Sequence, residues 1–92
     1  MKITFKPLMM KTWTLDGDYI IIGGKSVYLG TAKKVEHTHA PKNRMQNGVI
    51  QLFVEDVPCF LCYPYKQCEE GLKAAQYIQK RVFELKRGNI NQ

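Results

Sequence analysis

KQCEEGLKAAQYIQKRVFELKR, residues 66–87, is the one stretch of this chain with a helical period long enough to organise the rest. Leu72, Ala75, Ile78, Val82 and Leu85 recur at intervals of three or four and so fall on a single helical stripe. Glu69 and Glu70 stand in the first turn and Lys86 and Arg87 in the last, where the helix dipole favours each sign. Gly88 follows as a residue that takes positive φ without steric cost, and it reads as the stop. About twenty residues at 1.5 Å rise make a rod of roughly 30 Å. A rod that is apolar on one side only needs a sheet to lie on. Leu72, Ile78 and Val82 are expected inside, Lys73 and Lys80 outside. Gly71 within the helix costs about 1 kcal/mol relative to alanine, which close approach to a strand would offset.

Upstream, the chain supplies that sheet in short pieces. Lys2 to Lys6 alternates polar and apolar residues and ends at Pro7, the pattern of an edge strand. Lys11 to Leu15 alternates again with Trp13 and Leu15 inward, and Asp16-Gly17 reads as a two-residue type I′ hairpin turn. Asp18–Ile22, Lys25–Leu29 and the polar stretch Lys33–His39 around Val35 follow, separated by Gly23-Gly24 and Gly30. Residues 40–46 are irregular and basic, and Asn47-Gly48 is a further turn signal. Val49–Val54 and Val57–Tyr63 are apolar strands, with Pro58 near a strand start, where its missing N–H costs least. The expectation is a mainly β (α+β) domain spanning residues 1–92. About seven short, mostly antiparallel strands lie within residues 2–64, a helix at about 66–87, and a frayed tail at 88–92. A meander of this kind removes its edges by closing or nearly closing into a barrel or sandwich, with the helix as plug.

Composition sets the outer limits. Ninety-two residues suit one core rather than two. The 45% hydrophobic and 24% charged content argues against disorder, and no apolar run approaches a membrane span. Thr4, Lys6 and Pro7 interrupt the start of the chain, so no signal peptide is expected. Three cysteines are an odd set for a disulfide framework, which points to a reducing, cytoplasmic setting. Residues 1–46 hold eight Lys or Arg against three acidic residues, a balance of +5, and residues 47–92 hold six against five, or +1. That excess suits an anionic or acidic partner without choosing one.

The order of elements resembles the pleckstrin-homology-like superfold, and specifically the small bacterial pleckstrin-homology-like domains of uncharacterised function. The residues that carry the resemblance are Trp13-Thr14-Leu15-Asp16-Gly17-Asp18-Tyr19-Ile20-Ile21-Ile22, Val35 in its polar strand, Gly48-Val49-Ile50-Gln51-Leu52-Phe53, and Tyr63-Pro64-Tyr65-Lys66-Gln67 running into the helix. The resemblance implies a binding module rather than an enzyme, since relatives of that superfold bind phosphoinositide headgroups, peptides or other subunits. An SH3-type or OB-type barrel with an extra helix is the second architecture.

The residue types that could carry chemistry are sparse. His37, His39, Cys59, Cys62 and Cys68 are types that zinc accepts, but Cys59 and Cys62 stand three apart on one strand and point to opposite faces. No metal and no cofactor are expected. Cys68 gains from the helix N-terminus and loses to Glu69 and Glu70 as a thiolate. No nucleophile–base set can be assembled, and no catalytic site is expected.

The basic residues remain. Lys25, Lys33 and Lys34, with Lys42 and Arg44, are candidates for one basic face. The first hairpin, around Asp16-Gly17-Asp18, is acidic and tight, unlike the headgroup-binding hairpin of lipid-binding relatives. Nucleic acid would need exposed aromatics, for which Tyr19 and Tyr28 are candidates. The third option uses the backbone: Lys33–His39 as an edge strand beside the helix, pairing through the ladder around Val35 with another protein or a second copy. A non-enzymatic interaction module acting through this edge and a basic face is the expectation. A small basic barrel for nucleic acid or anionic lipid is the alternative.

Overall fold

The computed structural model describes residues 1–39, 47–55 and 57–90. Strands β1 (Lys2–Phe5), β2 (Trp13–Asp16), β3 (Tyr19–Ile22) and β4 (Lys25–Tyr28) pair antiparallel in chain order. A 3-10 turn at Leu29–Thr31 leads into β5 (Ala32–Thr38), which pairs with β6 (Gly48–Val54), and β6 with β7 (Val57–Tyr63). A second 3-10 turn, Tyr65–Gln67, opens into α1 (Cys68–Ile90). The chain is mainly β, with two antiparallel sheets of four and three strands and one C-terminal helix. Among the described residues the sheets do not close into a barrel.

The two sheets and the helix share one core. Phe5, Trp13, Leu15 and Ile20 come from the first sheet, Ile50, Leu52, Leu61 and Tyr63 from the second, and Ala74, Ala75, Ile78 and Val82 from α1. Alternation does this in β2 and β6, where every second residue is buried. Trp13 joins the sheets: its indole N–H donates to the Cys62 carbonyl at 2.7 Å, and its ring stacks on Phe5 at 4.6 Å. Tyr63 is the other junction. A Cβ on Gly48 would come within 2.3 Å of its ring, and one on Gly71 within 2.5 Å. Both glycines are thus spaces that the ring fills, and Gly71 makes the close approach to a strand expected of it.

Several local expectations are corrected. Leu72 is 38% exposed, because Gly71 rather than Leu72 turns toward Tyr63; Ala74, Ala75, Ile78 and Val82 are buried. The helix passes Gly88 and runs to Ile90, so Gly88 does not stop it. Asn47-Gly48 is no hairpin turn: Gly48 opens β6 opposite Tyr63. In the first hairpin Asp16 pairs with Tyr19, so the turn centres are Gly17 and Asp18. Positive φ (+59°) at the first centre alone is the requirement of a type II′ turn, not the type I′ expected.

Side chains complete what the ladders leave open. On the outer edge of β1, Gln67 accepts from the Lys6 N–H (3.1 Å) and donates to the Thr4 carbonyl (3.2 Å). Asn47 does the same for Leu8, accepting from its N–H at 3.0 Å and donating to its carbonyl at 2.9 Å. Residues 4, 6 and 8 alternate, so two side-chain amides stand along one backbone edge in place of a strand. The helix is tied to the β2–β3 turn by Tyr77, whose hydroxyl donates to the Gly17 carbonyl at 3.0 Å. Arg81 adds a two-pronged pair with Asp18, 2.8 Å on each arm.

Candidate functional site

Four strands lie at sheet edges: β1, β4, β5 and β7. At the end of β1, Gln67 holds the Thr4 carbonyl and the Lys6 N–H, and Asn47 holds the backbone of Leu8 just beyond it. β4 has only four residues, and β7 carries Pro58, which has no N–H to offer. β5 has seven residues; Ala32 donates its N–H back to the Leu29 carbonyl, and among the described residues Lys33–Thr38 form no main-chain hydrogen bond beyond the β6 ladder. An edge of that length with its outer donors and acceptors unladdered is a template for another strand.

The second half of α1 runs beside this edge, and the two walls enclose a groove of about 210 Å³. Lys33, Lys34 and Val35 form the strand wall; Gln79, Val82, Phe83 and Lys86 form the helix wall. Val82 is buried at the base, while Phe83 is 63% exposed at the rim. Phe83 thus places an apolar ring at the rim of the groove, on the helix wall facing the β5 edge.

The pairing register explains the strand wall. Ala32 faces Val54 and Lys34 faces Phe53, so Lys33 is an inserted residue that leaves the ladder at a bulge. Its carbonyl accepts a hydrogen bond from the Lys86 ammonium. Lys34 is paired with Glu36 at 2.7 Å and lies over the Phe53 ring at 5.2 Å. Three lysines therefore line the groove.

Of the residues singled out in the sequence, the groove brings together Lys33, Lys34 and Val35. Lys25 is not among them. It sits at the β3–β4 turn, opposite Ile22, in a separate depression of about 530 Å³ with Met9, Met10, Lys11 and Phe60. A further depression of about 430 Å³ lies at Leu8, Pro64, Tyr65 and Lys66. Neither of these larger hollows borders the unladdered β5 edge. Lys42 and Arg44 lie outside the described residues. Gln79, Phe83 and Lys86 were missed, although their spacing of four and three marks a second helical face beside the apolar stripe.

The other candidate groups have structural partners. The His37 ring and the Tyr63 hydroxyl share a hydrogen bond of 2.6 Å, and the His39 ring lies 4.3 Å from that of His37. Burial, and then the neighbouring His39, hold the His37 pKa below its usual 6.5. Burial pushes the thiols of Cys59 and Cys62 above theirs. Cys59 faces Leu52 across the ladder and Cys62 faces Val49, so neither meets the histidines. Among the described residues no three His, Cys, Asp or Glu side chains gather as a metal would need. Tyr19 and Tyr28 are exposed partners on the outer face of the first sheet, 5.4 Å apart. Among the described residues no helix is long and apolar enough to cross a membrane. No family model, curated protein or solved structure matches the chain, so its functional reading rests on the β5–α1 groove itself.

Proposed function

We propose that the chain is a non-enzymatic interaction module of pleckstrin-homology-like type, and that it binds an extended polypeptide segment as an added strand on β5. The likeness in type is supported by the order of elements: four strands, then three, then one helix that packs on the second sheet and the first hairpin turn. The observation that carries the binding reading is the seven-residue β5 edge beside α1, with Val35 and Phe83 offering apolar contact on either wall. Backbone hydrogen bonds along β5 supply affinity in such a mode, and the groove supplies side-chain preference. Self-pairing of two β5 edges would use the same chemistry and yield a homo-oligomer.

Amide hydrogen exchange tests this directly. Strand addition is expected to slow exchange at alternate residues of Lys33–Thr38, whether the added strand is a peptide or a second copy seen by light scattering at high concentration. Val35→Pro should abolish the effect, provided the variant still melts cooperatively. Binding of nucleic acid or anionic vesicles that collapses between roughly 50 and 200 mM salt, with β5 exchange unchanged, would move the function to the basic surface.

A further inference from the structure

The Lys86 ammonium sits on the Lys33 carbonyl, a backbone acceptor at the bulge of the open edge. That position has a consequence for whatever docks there. A strand adding to β5 would bring an N–H toward the same carbonyl, in competition with the ammonium. The cap is easily exchanged, because a lysine head is strongly hydrated and its four-carbon stem is flexible. Once displaced, Lys86 stands in a groove that also holds Lys33, while Lys34 is already engaged by Glu36. Among the described residues lining the groove none is acidic, so the incoming strand is what supplies the vacated ammonium with a counter-charge there.

We infer that Lys86 is an exchangeable cap on β5, and that the groove selects an extended segment carrying a carboxylate and an apolar side chain on the same face. The apolar residue meets Phe83 and Val35, and the carboxylate meets the end of the groove where Lys86 and Lys33 stand. In an extended strand, residues on one face are two apart, so the recognised pattern is apolar–any–acidic. The complementarity is electrostatic: Lys33 on the strand and Lys86 on the helix, in a chain whose net charge is +6, favour acidic segments and oppose basic ones. This rests on the strand-addition reading above and adds to it the chemistry of the partner.

The probe is a nine-residue end-capped peptide with threonine at odd positions and valine and glutamate alternating at even ones. Its comparator replaces both glutamates with glutamine. Each is titrated into the wild-type domain and into Lys86→Met, which keeps the stem and removes both the charge and the cap. Affinity is followed by NMR and strand addition by exchange at β5. The wild type should bind the glutamate peptide about 3- to 10-fold more tightly than the glutamine one, the scale of one or two partly exposed charge pairs. Lys86→Met should lose most of that preference, and it should bind the glutamine peptide as well as the wild type does or better, since no cap opposes it. If both peptides protect β5 equally, or Lys86→Met weakens both alike, the exchangeable cap is wrong while strand addition stands. If neither peptide protects β5 in either protein, strand addition falls and the cap with it.

Discussion

Gly71→Ala is the sharpest test of how this fold is held together, because two well-understood effects predict opposite signs. At an ordinary helix-interior site, replacing glycine with alanine stabilises by about 1 kcal/mol. At position 71 the new methyl group would lie 2.5 Å from Cδ1 and Cε1 of Tyr63. Ordinary contact begins near 3.4 Å, so the ring or the helix must move by roughly 1 Å. The ring has nowhere to go. It is 1% exposed, its other side lies against Gly48, and its hydroxyl is held by His37. Overpacking of this kind costs about 1–3 kcal/mol, and a ring pinned on both sides belongs at the upper end. Subtracting the gain in helix propensity leaves a net loss of about 1–2 kcal/mol, a fall in melting temperature of roughly 4–16 °C for a domain of this size. Thermal and urea denaturation would measure it. The coupling is checked by repeating the substitution in a Tyr63→Leu background, where the space is vacated and alanine should be neutral or stabilising. A Gly71→Ala protein that melts at or above the wild-type temperature would refute the pinned-ring account.

Two further outcomes follow from burial and from titration. Ile78→Ala should cost about 2–5 kcal/mol because the side chain is fully buried, whereas Leu72→Ala should cost about 1 kcal/mol; parallel denaturation curves compare them, and equal losses would contradict the helix orientation. The lowered His37 pKa means that the folded protein takes up that proton less readily than the unfolded chain does. The associated stability is present above the unfolded value of about 6.5 and is lost as pH falls through the lowered folded value. Denaturation midpoints should decline as pH falls below about 6.5 in the wild type and flatten in His37→Gln; a pH-independent wild type would remove the effect.

What was legible in the sequence is what short-range chemistry encodes. Alternation in Trp13–Leu15 and Val49–Val54, the β-branched run at Tyr19–Ile22, the breaks at Pro7 and Gly23-Gly24, and the period of Leu72–Leu85 are properties of neighbouring residues. They located seven strands and one helix to within a few positions. Lys33–His39 could also be recognised as an edge, since a polar strand with a central valine is poorly suited to a sheet interior. Some errors were local too. The turn at Gly17 depends on which pair of residues the register places opposite each other, and the Asp-Gly signal does not carry that information.

Only the tertiary structure decided the phase of the helix and the composition of the groove. A helical period marks a stripe more than 100° wide, and either Gly71 or Leu72 could lie at its inner margin. The choice fell to Tyr63, a ring eight positions upstream that needs the space a missing Cβ leaves. Lys86 reads in sequence as a residue answering the helix dipole, yet its ammonium lies on the carbonyl of Lys33, 53 positions away. Lys25 and Lys33 look like members of one basic face, but they lie on opposite sides of the turn at Leu29–Thr31 that carries the chain from the first sheet to the second. Sequence determined which segments would be strands and helix because hydrogen bonding and side-chain period act between near neighbours. Which side chains meet was decided by the packing of two sheets and a helix around one core, a constraint that acts on residues far apart in the chain.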